Sequence, residues 1–70
     1  MVNRMAYAAQ ERLLTVRETA SLLGCSVATV WRKASGAELP KPIRIGGMTR
    51  WSQGEIVAFI EDAKASREAA

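Results

Sequence analysis

The amino-acid sequence predicts a mainly α-helical fold with one small β-hairpin, and three observations indicate it. Two short amphipathic segments flank the turn Gly24-Cys25-Ser26. Two short alternating runs flank the pair Gly46-Gly47, a typical two-residue hairpin signal. A third amphipathic segment follows the hairpin. The order helix, three-residue turn, helix, loop, hairpin, helix is that of a winged helix-turn-helix, in which the two-stranded hairpin is the wing.

The first helix is marked at both ends by its sequence. Thr15 and Glu18 form the capping box T-x-x-E, so the helix is expected to begin at Val16. Gly24 is expected to end it, because a left-handed backbone costs glycine little. Its apolar residues recur on one face: Val16, Ala20 and Leu23.

The second helix is expected from Val27 to about Ala34, with Ser26 as its N-cap and Gly36 as its stop. Val27 and Val30 belong to its buried face, together with either Trp31 or Ala34. Side chains three and four residues apart project together, which defines the opposite face. That face carries Ala28, Thr29, Arg32 and Lys33.

A loop held extended by Pro40 and Pro42 leads to the predicted wing. Alternation places Ile43 and Ile45 on one face of the first strand and Arg44 on the other. On the return strand Thr49 and Trp51 share one face, and Met48 and Arg50 share the other. Trp51, Ile43 and Ile45 are expected in the core, which leaves Arg44 and Arg50 opposite to it.

A second capping box, Ser52 with Glu55, predicts a third helix from Gln53. Beyond Lys64 the chain is small and polar and is expected to fray. The sequence therefore divides into a flexible arm (1–12), a winged helix-turn-helix domain (13–64) and a frayed tail (65–70). The predicted core is Leu14, Val16, Ala20, Leu23, Val30, Ile43, Ile45, Trp51, Ile56, Phe59 and Ile60.

Composition argues against enzymes, metal sites and membrane spans. The chain has no histidine and one cysteine, so it offers no zinc-ligand cluster and no catalytic cysteine partner. The acids are scattered or lie at caps, and Gly46-Gly47 lacks the residues of a phosphate-binding loop. We expect no enzyme, cofactor, metal or small-molecule substrate. No apolar run approaches the ~20 residues that span a bilayer, so a cytoplasmic protein is expected.

The net charge of +3 is unevenly distributed. Five basic residues and one acidic residue lie between Arg32 and Arg50, on the second helix, the following loop and the wing. The third helix up to Asp62 carries only acids. Such asymmetry fits oriented docking on duplex DNA. Taken singly, exposed basic residues are usually solvated surface. A protein-interaction module, such as an antirepressor, therefore stays open as an alternative.

The expected DNA contacts follow from the elements that carry them. A helix fits the major groove, where Arg32 can contact guanine or clamp a phosphate, while Lys33 is expected on phosphate. Arg44 and Arg50 are expected at the adjacent minor groove or its backbone. The candidate residues are Ser26, Val27, Ala28, Thr29, Arg32 and Lys33 on the helix; Arg44, Gly46, Gly47, Met48 and Arg50 on the wing; and Arg17 and Lys41 as phosphate contacts.

From Leu13 to about Lys64 the chain resembles the AlpA-like phage regulators and the related small excisionases, which have a MerR-like winged helix. The resemblance rests on the opening "LLTVRETASLLGCS", the second-helix pattern S-x-x-T-x-W-R, the wing entry "LPKPIRIGG" and the close "RWSQGEIVAFI". The family's wings commonly carry a basic residue just after the glycine turn, where this chain has Met48. That departure weakens the expected minor-groove contact or leaves Met48 for a protein neighbour.

This resemblance implies a DNA-binding protein of a phage, prophage or integrative element, and with it association with the nucleoid in a bacterial cytoplasm. Such proteins act as recombination directionality factors that bind and bend attachment-site DNA and bias an integrase, here of the tyrosine recombinase type, toward excision. Others regulate transcription at a promoter, and the sequence leaves both roles open. By the same likeness Ser26, Thr29 and Arg32 would read the major groove.

A monomer with ~4–6 phosphate contacts binds weakly at physiological salt, so we also expect cooperative self-association on DNA. The acids of the third helix facing a neighbour's basic wing would make that contact head-to-tail.

Overall fold

The computed structural model of the chain describes residues 12–69, with side chains described for residues 12–67. Within these residues three helices and three short strands form a winged helix-turn-helix, the architecture that the sequence predicts with one strand added. The strands make an antiparallel sheet in the order β1-β3-β2. The elements are β1 (Leu13–Leu14), α1 (Val16–Leu23), α2 (Val27–Ser35), β2 (Ile43–Ile45), β3 (Met48–Ser52) and α3 (Gln53–Ala69).

Local hydrogen bonds fix the start and the end of α1. The Glu18 amide donates to Thr15 Oγ1 at 3.1 Å, and the Thr15 amide donates to Glu18 Oε1 at 2.9 Å, so the predicted capping box is complete. Gly24 adopts a left-handed backbone with φ of 72°. The next amide, that of Cys25, donates to the Ala20 carbonyl at 3.0 Å and closes the helix end. The tight turn sets the angle at which α2 follows.

The end of α2 differs from the expectation in one detail. The helix runs to Ser35, and Gly36 follows it with an ordinary φ of −87°. The left-handed residue is the next one, Ala37, with φ of 59°. The Glu38 amide then donates to the Lys33 carbonyl at 2.8 Å. The glycine is therefore correctly placed as a stop, but the strained backbone falls on an alanine.

The strand β1 is absent from the sequence-based prediction. Leu13 pairs with Ser52 and Leu14 with Trp51, and the Gln53 amide donates to the Arg12 carbonyl at 2.8 Å. Arg12 therefore belongs to the folded unit, contrary to its expected place in a flexible arm. The rest of that arm, residues 1–11, lies outside the described residues.

The core lies between α1, α2, α3 and the face of β3 that carries Trp51. Its apolar side chains with 5% exposure or less are Leu14, Ala20, Val30, Leu39, Trp51 and Ile56. Four more predicted core residues pack against this cluster and are partly buried: Val16, Leu23, Phe59 and Ile60. Sequence reasoning missed Leu39, which the loop after α2 turns inward. It also missed Thr19, a fully buried residue whose hydroxyl donates to the Thr15 carbonyl at 2.9 Å.

The prediction of the core is wrong at two residues. Ile43 and Ile45 are 37% and 42% exposed. In the observed register Ile43 lies opposite Arg50 and Ile45 opposite Met48, and directly opposed residues share a face of the sheet. Because Trp51 follows Arg50 in β3, its side chain points to the other face. The isoleucines therefore lie on the side away from the core.

The third helix is longer than expected. It begins at Gln53, where the Glu55 amide donates to Ser52 Oγ at 3.2 Å, and it continues to Ala69 instead of fraying after Lys64. From Glu61 to Arg67 its side chains are exposed. The last turns therefore project from the domain as a solvated helix.

Candidate nucleic-acid interface

The helix α2 presents one open face to solvent. Ala28 and Arg32 each lie two residues from the buried Val30, and at about 100° per residue this places both on the opposite side of the helix. Arg32 is exposed and makes no ion pair with any residue in the range 12–69. Its guanidinium is free to form a bidentate contact with a base edge or a phosphate.

The start of α2 carries two linked hydroxyl groups. Ser26 Oγ accepts from the Thr29 amide at 3.1 Å and donates to Thr29 Oγ1 at 2.9 Å. The Ser26 hydroxyl is thus committed to the helix cap. The Thr29 hydroxyl, already oriented by Ser26, keeps its own proton for an outside acceptor.

Two other candidate residues of α2 make contacts within the protein. Val27 is partly buried and packs against the core. Lys33 is partly buried, and its Nζ lies 3.3 Å from Glu38 Oε1. A phosphate contact by Lys33 must therefore compete with this carboxylate.

The two glycines of the wing turn have positive φ angles, 51° at Gly46 and 86° at Gly47. These angles suit the two-residue turn that the sequence predicts. A Cβ atom at either position would meet no other atom within 4 Å, so the tip is open to a close approach by another surface.

The two arginines of the wing lie on opposite faces, contrary to the expectation that they share one. Arg44 pairs with Thr49, two residues before Trp51, so it lies on the inner, Trp51-bearing side. Arg50 pairs with Ile43 on the other side. One Arg50 nitrogen donates to the Thr49 carbonyl at 2.9 Å, and the other lies 3.4 Å from Met48 Sδ. Arg50 is therefore folded back along its own strand.

We call the outward side of the sheet the outer sheet face. Its members share the pleat of Arg50 and lie away from the core: Leu13, Ile43, Ile45, Met48 and Arg50. The four apolar members are between 37% and 47% exposed. Neighbouring exposed apolar side chains that share a face can mark an interaction site.

A cleft, here called the helix–wing cleft, separates the end of α2 from the start of β2. It encloses about 280 Å³. Its lining residues are Trp31, Ala34, Ser35, Lys41, Pro42 and Arg44. Sequence reasoning assigned Lys41 and Arg44 to DNA separately, but it did not find that they meet beside Trp31.

An acidic groove lies on another part of the surface, between α3 and the loop that follows α2. It encloses about 510 Å³. Apolar and acidic residues line it together: Ala37, Glu38, Leu39, Pro40, Glu55, Ala58, Phe59 and Asp62. The acidic edge of α3 is weaker beyond the groove, because the extended helix adds Lys64 and Arg67, and Lys64 lies 3.0 Å from Glu61.

The remaining candidate, Arg17, is exposed on α1 and has no ion-pair partner within residues 12–69. In the same part of the chain no cluster of histidine, cysteine or acidic side chains could hold a metal ion. No helix within residues 12–69 is both long enough and apolar enough to cross a membrane.

The comparison with protein families matches residues 13–64 to the model of a helix-turn-helix domain. The chain belongs to this helix-turn-helix domain family. The family includes excisionase-like and AlpA-type regulators and is typically non-enzymatic, so the match supports a small protein that binds double-stranded DNA. Searches of curated proteins and of solved structures found no match to the chain.

Proposed function

We propose that this helix-turn-helix protein binds a specific duplex sequence by placing α2 in the major groove and the wing at the adjacent minor groove. The observation that carries the proposal is Arg32, which is exposed on the open face of α2 and has no ion-pair partner among residues 12–69. Thr29 and Ala28 flank it on the same helix. Gly46 and Gly47 allow the wing backbone to approach a groove closely.

A titration of duplexes tiled across the DNA that flanks the gene tests this proposal. The wild-type chain should bind one region far more tightly than a scrambled duplex. Replacing Arg32 by alanine should cost about 1–3 kcal/mol on the specific site and relax discrimination at one base pair. Arg67→Ala is the matched control, because Arg67 lies in the projecting end of α3. It is about 21 Å along the helix from Gln53, where α3 leaves the sheet. Equal, weak binding to all duplexes would leave only a basic surface.

We propose further that the protein acts as an excisionase, a recombination directionality factor that bends attachment-site DNA and biases a tyrosine-type integrase toward excision. The support is the resemblance of the wing entry "LPKPIRIGG" and of the second helix to that group. Control of a promoter is the alternative, favoured by the same resemblance to AlpA-like regulators. Both roles place the protein on DNA in the cytoplasm.

An assay that counts excised circles and measures a reporter in the same cells separates these roles. Arg32→Ala should abolish excision and leave reporter output unchanged if the excisionase role is right. Loss of reporter control with normal excision would favour the promoter role. A chain that affects excision or transcription without binding DNA would favour a protein-interaction module.

Cooperative, head-to-tail binding of several copies on DNA completes the proposal. The outer sheet face combines Ile45 and Met48 with one cation, Arg50. The acidic groove combines Leu39 and Phe59 with acids. The two surfaces are complementary in polarity and charge and lie on different parts of the chain, so contacts between copies would not close into a dimer.

Binding to one site and to two tandem sites tests the contact between copies. Ile45→Ser should leave affinity for a single site within about twofold and abolish cooperativity on tandem sites. Asp62→Asn should weaken cooperativity in the same assay. Tandem sites that fill independently in the wild-type protein would refute this contact.

A further inference from the structure

The helix–wing cleft lies between the two elements that the proposed function sends into different grooves. Major and minor grooves of B-form DNA are separated by a single sugar-phosphate strand. With α2 in one groove and the wing in the next, that strand must cross the surface between them. The cleft, bounded by Ser35 on α2 and Arg44 on β2, opens at this place.

The charges of the cleft suit a phosphate. Lys41 and Arg44 are exposed, and neither side chain forms an ion pair or a hydrogen bond with any residue in 12–69. Among the described residues, no acidic side chain lines the cleft. Two unpaired cations with a nearby hydroxyl group, that of Ser35, make a typical phosphate-binding set.

The C-terminus of a helix would ordinarily repel an anion, because its free carbonyl groups carry partial negative charge. At the end of α2 these carbonyls already accept hydrogen bonds. The Gly36 amide donates to the Arg32 carbonyl at 3.1 Å, and the Ala37 amide donates to the Ala34 carbonyl at 3.2 Å. The turn after α2 thus reduces the repulsion next to the cleft.

Trp31 supplies a fixed apolar wall. Its side chain is 40% exposed, and its ring is held against the fully buried Trp51 with centroids 5.4 Å apart. A wall of this kind can contact a deoxyribose without the entropic cost of ordering a mobile side chain.

We propose that the helix–wing cleft seats one phosphodiester group of duplex DNA, with Lys41 and Arg44 on the phosphate oxygens and Trp31 against the adjoining sugar. This inference rests on the proposed function and adds the path of the strand between the grooves. It depends on the observed strand register, which puts Arg44 on the α2 side of the wing. It also assigns a binding role to Trp31.

Trp31 provides the readout, because Trp51 is fully buried and Trp31 is the exposed indole. Duplex DNA should change the tryptophan fluorescence of the wild-type protein, and Trp31→Phe should remove that change while retaining binding. Lys41→Gln and Arg44→Gln should each lower the slope of log affinity against log salt by about 0.9. Raising the salt from about 50 to 200 mM should therefore weaken the binding of each variant by a factor about three times smaller than for wild type. Arg67→Gln is the charge-matched control and should keep the wild-type slope.

Three outcomes would overturn the inference. If the wild-type protein binds duplex DNA and both variants keep the wild-type salt slope, this inference is overturned and the proposed function stands. A fluorescence change that inorganic phosphate saturates at constant ionic strength would identify a site for the free anion instead of the DNA strand. A wild-type chain that binds no duplex would overturn the proposed function and this inference together. Circular dichroism of each variant confirms that the fold is intact, as expected for substitutions at exposed side chains.

Discussion

Trp31 and Trp51 meet edge to face, with ring centroids 5.4 Å apart and ring planes at 61°. The first ring belongs to α2 and the second to β3, so this contact joins the helix to the sheet that carries the wing. Trp51 is fully buried, and its indole nitrogen has no hydrogen-bond partner among the described residues. Between these two residues the helix and the sheet are therefore held by ring packing and not by a hydrogen bond of the Trp51 indole.

Removing the Trp31 ring should weaken the packing of α2 against the sheet. Trp31→Ala is expected to lower the free energy of unfolding by about 2 kcal/mol, through loss of the aromatic pair and of partial burial. Trp31→Phe keeps an aromatic ring and should cost less than about 1 kcal/mol. Urea unfolding followed by far-ultraviolet circular dichroism measures both. An alanine variant as stable as wild type would show that the two rings do not support each other.

The core and the outer sheet face should respond differently to the same substitution. Ile56→Ala is expected to cost about 3 kcal/mol, because Ile56 is fully buried, whereas Ile45→Ala should cost less than about 1 kcal/mol. Thermal unfolding compares them, and Ile56→Val serves if the alanine variant does not fold. Equal losses at both positions would mean that Ile45 is covered in the isolated protein.

The sequence predicts the helices well because their signals are local. The pair Thr15 and Glu18 and the glycine at position 24 act within a single turn of chain, so their positions can be recognised without the rest of the fold. The hairpin turn at Gly46 and Gly47 is equally local. The same holds for the open face of α2, whose members follow from the helical period alone.

The facing of the wing was wrongly predicted, although its signal is local too. The predicted two-residue turn already sets Arg44 opposite Thr49, which is the observed pairing, and this register places Ile43 and Ile45 on the face away from the core. The apolar composition of the two isoleucines favoured the wrong choice. Leu39 and the cleft beside Trp31 depend on how the loop after α2 folds back, which leaves no periodic pattern.

Three residues near helix ends separate backbone strain from side-chain effects. Gly24→Ala should lower stability by about 1–2 kcal/mol, because φ is 72°. The added Cβ would meet no other atom within 4 Å, so this loss would come from backbone strain alone. Gly36 has an ordinary φ, so Gly36→Ala should be nearly neutral. The added Cβ would lie 3.3 Å from Glu38 Oε2, and this flexible side chain can move away. Ala37→Gly should raise stability by about 0.5 kcal/mol, since φ is 59°. Denaturant midpoints of the three variants test this order, and a neutral Gly24→Ala would contradict it.

Acid should destabilise the fold partly through Glu18. The hydrogen bond from the Thr15 amide, followed by that from Arg12, lowers the pKa of the Glu18 carboxyl below its ordinary value of 4.5. A carboxyl whose pKa is lowered by folding stabilises the native state above its unfolded-state pKa, and this contribution disappears as the pH falls through the folded pKa. Stability should therefore decrease on acidification below about pH 4.5, and Glu18→Gln should reduce that decrease while lowering stability at neutral pH. Thermal melts of both proteins between about pH 7 and pH 3 provide the comparison, with Glu61→Gln as an exposed control. Parallel curves for wild type and Glu18→Gln would show that the capping carboxylate carries no pH dependence.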